Sequence, residues 1–420
     1  MLKAPTVGLS GIVFQTKQRD SGQANSTNSG VLSTRSRCSK QVLLSTGITR
    51  SKALAFRYPV VLPRGEIHCK EIGGNIMRYR LFGKTGLYVS ELCLGTMTFS
   101  GKGGFWGTIG KLSASEAEAL IGTALDAGVN LIDTADAYSE GESEKFVGLA
   151  LASLDRPRDQ VIVATKVHLR MGTGPNQLGL SRVHIFSAVD ASLRRLKLDF
   201  IDLYQIHGCD LVTPIEETVR ALDDLVRIGK VRYVGFCNLP AWLAMKALGH
   251  ADAHCLSRFV SAQMYYSIGS RDIEREVVPM AQDQGLAILP WSPLAGGLLS
   301  GKFDMDKPGP EGARRTSFDF PPVDKARVAA VLKALRAVSK DMDISVARVA
   351  LAWLLTRPFV TSVIIGAKTR EQLADNLASS DVSLTAEHIV QLDEASALPA
   401  EYPGWMVERQ NRDRRPPMVV

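Results

Sequence analysis

The sequence predicts an α/β protein built on a (β/α)8 TIM barrel, parallel and eight-stranded, with extra C-terminal helices. Three observations predict it. From residue 77 onward, eight short apolar runs alternate with amphipathic segments, the pattern of parallel strands covered by helices. Eight such units in about 300 residues match the size of this barrel. A doubly wound open sheet usually carries G-x-G-x-x-G after its first strand, and the sequence holds no such match.

The elements follow in order. Leu92–Thr96 is an apolar run ending at a glycine and a threonine. Ser113 and Glu116 have the spacing of a capping box. The helix they open carries Ala117, Leu120, Ile121 and Ala124 on one face and stops before Gly128. Strands are expected at 129–133, 161–165, 200–206, 231–236, 259–264, 286–290 and 362–365. Helices are expected at 142–153, 182–196, 214–228, 240–249, 273–284, 324–339, 345–355, 370–378 and 385–396. Residues 302–323 read as irregular.

The 420 residues carry a net charge of +7, but residues 1–76 alone hold eleven Lys/Arg against three Asp/Glu. The remainder is nearly neutral, so the charge gives no footprint for nucleic acid. No apolar run reaches the roughly 18 residues of a membrane span. Residues 1–60 hold one acid, Asp20, and nine serines. That composition fits an organelle transit peptide, a disordered tail, or residues upstream of the true start, since Met77 precedes the first ordered-looking strand. The organisation is therefore a 1–76 extension, a 77–400 barrel and a 401–420 tail bearing on the substrate. Six cysteines without paired spacing exclude a disulfide scaffold and point to a reducing compartment. The cytoplasm is expected, or a plastid or mitochondrion if 1–76 is a transit peptide.

Chemistry on this barrel belongs at the C-terminal strand ends. Asp133, Lys166 and His207 each close an apolar run, and Tyr138 follows Asp133 by five residues. Neighbouring strands lie about 4.8 Å apart, so Asp133 and Lys166 can pair. A lysine beside a phenol lowers its pKa, and such a tyrosine can pass a proton to a reacting oxygen that His207 also touches. His250 and His254 have metal-ligand spacing but lack the glutamate of a zincin motif, so no metal is expected.

These residues bring out a resemblance. Arg80–Phe99, Asp133-Thr-Ala-Asp-Ala-Tyr138, Ala164-Thr-Lys-Val167, Asp202-Leu-Tyr-Gln-Ile-His207, Gly235-Phe-Cys-Asn238, Trp291-Ser-Pro-Leu294 and Gly366–Gln372 together resemble the aldo/keto reductase superfamily. The likeness spans 77–400 and is nearest the bacterial and plant branch with potassium channel β-subunit-like members. It implies a barrel, a nicotinamide cofactor (NADPH before NADH), and a tetrad falling on Asp133, Tyr138, Lys166 and His207. It implies that Trp291 stacks on the nicotinamide, that Asn238 and Gln263 hold its carboxamide, and that Arg315 lies near the adenosine. Thr96 and Met97 join this set, as do Ser292, Pro293, Leu294, Ala295, Gly296, Gly366, Gln372, Asp375 and Asn376. Cys237 stands where the family often has serine, which puts one hydrogen bond in doubt and adds sensitivity to oxidation.

Physics supports a phosphate site after the last two strands. Small residues after Trp291 let backbone N–H groups approach phosphate, with Lys302 adding a cation. Lys368 and Arg370 at a helix start suit a 2′-phosphate. The expected reaction is reversible reduction of aldehydes or ketones to alcohols, of the NADP-linked alcohol dehydrogenase type. The alternative is an NADPH-holding regulatory subunit with little turnover. The expected partner is a small carbonyl compound, with neither nucleic acid nor membrane, and a homo-oligomer is an open option. Substrate walls are expected from Phe99, Phe105, Trp106, His168 and Trp405.

Overall fold

The computed structural model describes residues 60–61, 67–68, 77–304, 309, 311 and 313–414. Transit-peptide, tail and start-site readings for the N-terminal segment fall almost wholly outside these residues. Two short strands in it are described. β1 (Val60–Val61) pairs antiparallel with β2 (Ile67–His68), and β2 pairs with β3 (Arg78–Leu81). β3 folds back on β4 (Tyr88–Ser90) as a hairpin.

The barrel follows. Its strands are β5 (Leu92–Gly95), β6 (Leu131–Asp133), β7 (Ile162–Val167), β8 (Ile201–Ile206), β9 (Val231–Cys237), β10 (Phe259–Tyr265), β11 (Ala287–Trp291) and β12 (Val363–Ile365). They run parallel in the order β11-β10-β9-β8-β7-β6-β5-β12. β11 and β12 meet through a bridge between Ile288 and Val360. Thr361 N–H donates to the Ile288 carbonyl at 2.9 Å and Ile288 N–H to Thr361 Oγ1 at 3.3 Å, which nearly closes the cylinder.

Helices cover the strands, each packing an apolar stripe inward. α1 (Trp106–Ile109) lies in the first loop. α2 (Ala114–Asp126) opens with the expected capping box on Ser113 and Glu116, and Ala117, Leu120, Ile121 and Ala124 are its buried face. α3 (Glu142–Leu154), α4 (Arg182–Leu196), α5 (Ile215–Arg227) and α6 (Ala241–Ala253) follow β6 to β9 in turn. α7 (Val277–Gln284) begins four residues later than expected, after a single turn at Asp272–Glu274. α8 (Arg314–Ser317) lies in the stretch read as irregular. α9 (Lys325–Met342), α10 (Val346–Leu355), α11 (Arg370–Leu377) and α12 (Ala386–Ala395) complete the shell. The tail adds α13 (Gly404–Asn411).

Strand side chains alternate between the two faces. Ile162, Ala164 and Lys166 point into the barrel, and Val163, Thr165 and Val167 point to the helices. The lower interior is apolar: Cys93, Leu131, Ile162, Ala164, Leu203, Ala287, Leu289 and Ile364 pack with Phe82 and Val89 of the hairpin. The hairpin thus stops the N-terminal end. Gly83 takes φ +60, and a side chain there would meet the carbonyls of Val260 and Gly285 at 2.7 and 2.8 Å, so only glycine lets the turn approach the strand ends. With one end stopped, chemistry is confined to the other.

Candidate active site

The upper interior is polar because the alternation that buries leucines lower down brings Asp133, Lys166, Gln205 and Gln263 to the same inner face. Register sets Lys166 beside Gln205 and Asp133 beside Ala164. Lys166 is the fifth residue of β7, inside the strand rather than just after it.

Lys166 is fully buried. Its Nζ donates to Asp133 Oδ2 at 2.6 Å, to the Thr134 carbonyl at 2.8 Å and to the Tyr138 hydroxyl at 3.3 Å. The other Asp133 oxygen accepts from Gln263 at 2.8 Å and Gln205 at 3.3 Å. A buried ion pair survives only when its remaining hydrogen-bonding capacity is met, and these two amides meet it. Gln205 was not singled out from the sequence. Its signal was its place in an apolar run two residues before His207, with inward parity. Burial opposes the Lys166 charge, but Asp133 and Tyr138 outweigh it and hold the ammonium protonated, above its ordinary range.

Tyr138 lies on a single turn (Tyr138–Gly141) after β6 and is buried. Its ring meets Trp106 edge-on at 5.5 Å and His207 at 5.7 Å. The expected drop in its pKa is corrected here. Burial raises the phenol by more than Lys166 lowers it, and it is pushed up to about 12. His207 is kept neutral, well below its usual value, by burial and then by the charge of Lys166 and the neighbouring His168. Its Nδ1 is buried with no protein partner. The four residues therefore form one cluster: an ammonium paired with a carboxylate, beside a neutral phenol and a neutral imidazole.

The residues expected to hold a cofactor are placed in several different ways. Thr96 is buried and bonds the Asp133 carbonyl through N–H at 2.9 Å and Oγ1 at 3.1 Å; Met97 beside it is half-buried. Asn238 Oδ1 accepts from Trp291 Nε1 at 2.9 Å, and Asn238 Nδ2 donates to the His207 carbonyl at 3.2 Å. Gln263 is turned to Asp133 instead. Trp291 packs on Tyr265 at 5.0 Å and lies near-parallel to Phe320 at 6.1 Å. Burial pushes the Cys237 thiol up, against the thiolate that oxidation requires; this corrects the expected sensitivity.

After Trp291 the chain turns through left-handed backbone at Ser292, Ala295, Gly296, Gly297 and Gly301. Ser292 Oγ accepts from Gly296 N–H at 2.9 Å, with Pro293 and Leu294 between them. A side chain at Gly297 or Gly366 would meet nothing within 4 Å, so open space lies against bare backbone on both loops. Lys302, Lys368 and Arg370 are exposed. Lys368 is depressed by partial burial and then by the like charges of Arg314 and Lys111. Exposed cations and open backbone on these two loops fit a phosphate-bearing cofactor.

Several of the expected residues serve the protein itself. Arg315 is buried and donates to the carbonyls of Ala295 and Pro321, both at 2.8 Å, while pairing with Asp319. It braces the loop, and Arg314 is the arginine that acts on Lys368. Asp375 is taken by Ser345 at 2.6 Å and Arg348 at 2.7 Å, tying α11 to α10. Phe99 is a core residue, 1% exposed, not a wall. Gln372 accepts from Lys368 N–H at 2.9 Å, and Asn376 donates to the Gly366 carbonyl at 3.1 Å, so both shape the loop after β12.

The ring of Trp106 lies against Tyr138, Phe105 meets Trp106 edge-on at 5.1 Å, and Phe318 joins them, 5.0 Å from Phe105. His168 follows β7 and is depressed mainly by burial. Trp405 sits on α13, its ring against Tyr402. No cluster of three metal-binding side chains occurs among the described residues, nor any helix long and apolar enough to cross a membrane.

Comparison with known proteins agrees with this geometry. Residues 91–397 match the model of the aldo/keto reductase family. The chain is similar to versiconal hemiacetal acetate reductase of Aspergillus parasiticus, with 35% identity over 78% of this chain and 99% of the relative. It is similar to a "probable voltage-gated potassium channel subunit beta" of Arabidopsis thaliana, with 34% identity over 73% and 92%. An aryl-alcohol dehydrogenase of Pestalotiopsis microspora shares 34% identity over 75% and 81%. With a barrel of this order and a family match covering its strands, the chain belongs to the aldo/keto reductase family of oxidoreductases.

Proposed function

We propose that the protein is an NADPH-dependent reductase of aldehydes or ketones in which Tyr138 gives the proton. The observation that carries this reading is the contact of Lys166 Nζ with both Asp133 and the Tyr138 hydroxyl. NADPH, when bound, supplies hydride to the carbonyl carbon. The residues do the rest. His207, neutral, donates a hydrogen bond to the substrate oxygen. Tyr138, protonated throughout the neutral range, gives its proton as that oxygen gains charge. Lys166, charged at all such pH values, stabilises the phenolate left behind, as preorganised donors do at an oxyanion.

Trp291, Asn238 and the loops 292–302 and 366–376 would hold the cofactor, with Lys368, Arg370 and Arg314 favouring the 2′-phosphate. The aromatic rim of Phe105, Trp106 and Phe318 suits planar, apolar carbonyl compounds, in keeping with the aryl substrate in one relative's name. The barrel at 77–400 is the working unit in this reading, and the N-terminal extension is outside it.

Steady-state turnover of an aromatic and aliphatic aldehyde panel with NADPH and with NADH tests the proposal. Turnover with NADPH, best on the aromatic members, is expected. Tight NADPH binding with no turnover on any carbonyl would instead favour a regulatory subunit.

A further inference from the structure

A second polar cluster lies behind the first, on the outer faces of the same strands. Asp136 is the fourth residue of the six-residue segment from Asp133 to Tyr138, and it is fully buried. Its N–H donates to the Lys166 carbonyl at 3.3 Å, just as Thr134 N–H donates to the Ala164 carbonyl at 2.9 Å. These bonds extend the β6–β7 ladder and seat the segment that carries both Asp133 and Tyr138.

The alternation that points Asp133 inward points Asp136 outward, toward α3 and α4. Glu144 of α3 is there, but its oxygens are taken by Thr165 Oγ1 at 2.6 Å and Arg195 Nε at 2.6 Å. Arg195 also holds Ser192 at 3.2 Å. Tyr204 of β8 is fully buried, and its hydroxyl lacks a hydrogen-bond partner, as do both Asp136 carboxylate oxygens. Asp136 is therefore a buried carboxylate group with no cation bonded to it.

We propose that Asp136 is a positioning residue of the site: buried behind the sheet with no cation bonded to it, it seats the Asp133–Tyr138 segment on Lys166 while it keeps its proton, and loss of that proton unseats the segment. The groups facing it are accounted for. Burial and then the charge of Glu144 raise its carboxyl well above the usual range, while the charges of Arg195 and Lys166 pull the other way. Tyr204 feels Asp136 and Glu144 in turn and is raised as well, chiefly by burial. Unfolded, the same carboxyl ionises near pH 4. The folded state thus binds the extra proton, and its stability falls as pH rises from about 4 toward the folded value.

The inference rests on the reductase reading, and its test has two arms. In the first, thermal unfolding of the parent and of Asp136→Asn is followed from pH 4 to pH 9. The Tm difference should widen with pH in favour of Asp136→Asn, because that side chain is never charged. A constant difference, one that moves against the variant, or a variant that does not fold overturns the proposal. In the second, Asp136→Asn should keep kcat at pH 7 within about threefold and lose the alkaline limb of the parent's rate profile. Asp136→Ala should fall at least tenfold. An alkaline limb retained in Asp136→Asn overturns the positioning role and assigns the limb to another group. A parent without turnover would count against the reductase reading alone, since the unfolding arm needs none.

Discussion

Tyr138 is where residue-scale chemistry is concentrated. Tyr138→Phe removes one hydroxyl, leaving the ring against Trp106 and His207 and leaving Lys166 with its 2.6 Å bond to Asp133. The proton donor alone is lost, so kcat should fall at least about 10²-fold while NADPH affinity is nearly unchanged. Unaltered turnover would end the assignment. The pH behaviour carries a sign. With the phenol pushed up to about 12, carbonyl reduction should show no loss from Tyr138 below about pH 10. Alcohol oxidation, which needs the phenolate, should still be rising there. The residue types of the cluster were legible from strand ends, but this direction was not. Strand ends bring the lysine to the tyrosine, whereas the burial that outweighs it belongs to the folded mouth, where Trp106 and His207 pack against the ring. Asp375 and Arg315 likewise meet partners that no local pattern announces: Ser345 and Arg348 for the first, the carbonyls of Ala295 and Pro321 for the second.

At the scale of the element, α11 matters most for the cofactor. Thr369 caps it, accepting from Gln372 N–H at 3.2 Å, and Lys368 and Arg370 flank that cap. A charge-assisted contact to phosphate contributes about 1.5–3 kcal/mol. Replacing both residues by alanine should weaken NADPH binding at least tenfold and barely touch NADH. Kd by fluorescence titration with each cofactor decides it, and equal weakening of both would move the 2′-phosphate elsewhere. Helix limits were mostly legible because the caps are local: Ser113, Ser181, Asp324, Ser345, Thr369 and Thr385 each accept from an N–H three residues on. β4 was not legible, being three residues long between turns.

For the whole molecule, the alternation of apolar runs and amphipathic segments was enough to give eight parallel strands. The stopper at the barrel base was not, because Phe82 and Val89 belong to a hairpin whose partners are spread from Cys93 to Ile364. Nor could periodicity tell that the tail re-forms a helix at Gly404–Asn411. The N-terminal extension raised a different difficulty. Its composition speaks of targeting or of an unfolded tail, yet Ile67–His68 pairs onto β3. Short pairings of this kind leave no period to read.

The join between β11 and β12 has a consequence of its own. A ring of seven strand ladders closed by a single bridge does not fray evenly; it opens where the rungs are fewest. The loops offered to the cofactor leave from the two sides of that seam, one after Trp291 and one after Ile365. A ligand spanning them works as a hasp. Amide exchange at Ile288 and Thr361 should then be fast for seated strands and slow sharply when NADPH is added, with global protection gaining about 2.7 kcal/mol at a hundredfold excess over Kd. Equal slowing across all eight strands, with no preference for those two amides, would mean that the ring has no such weak point.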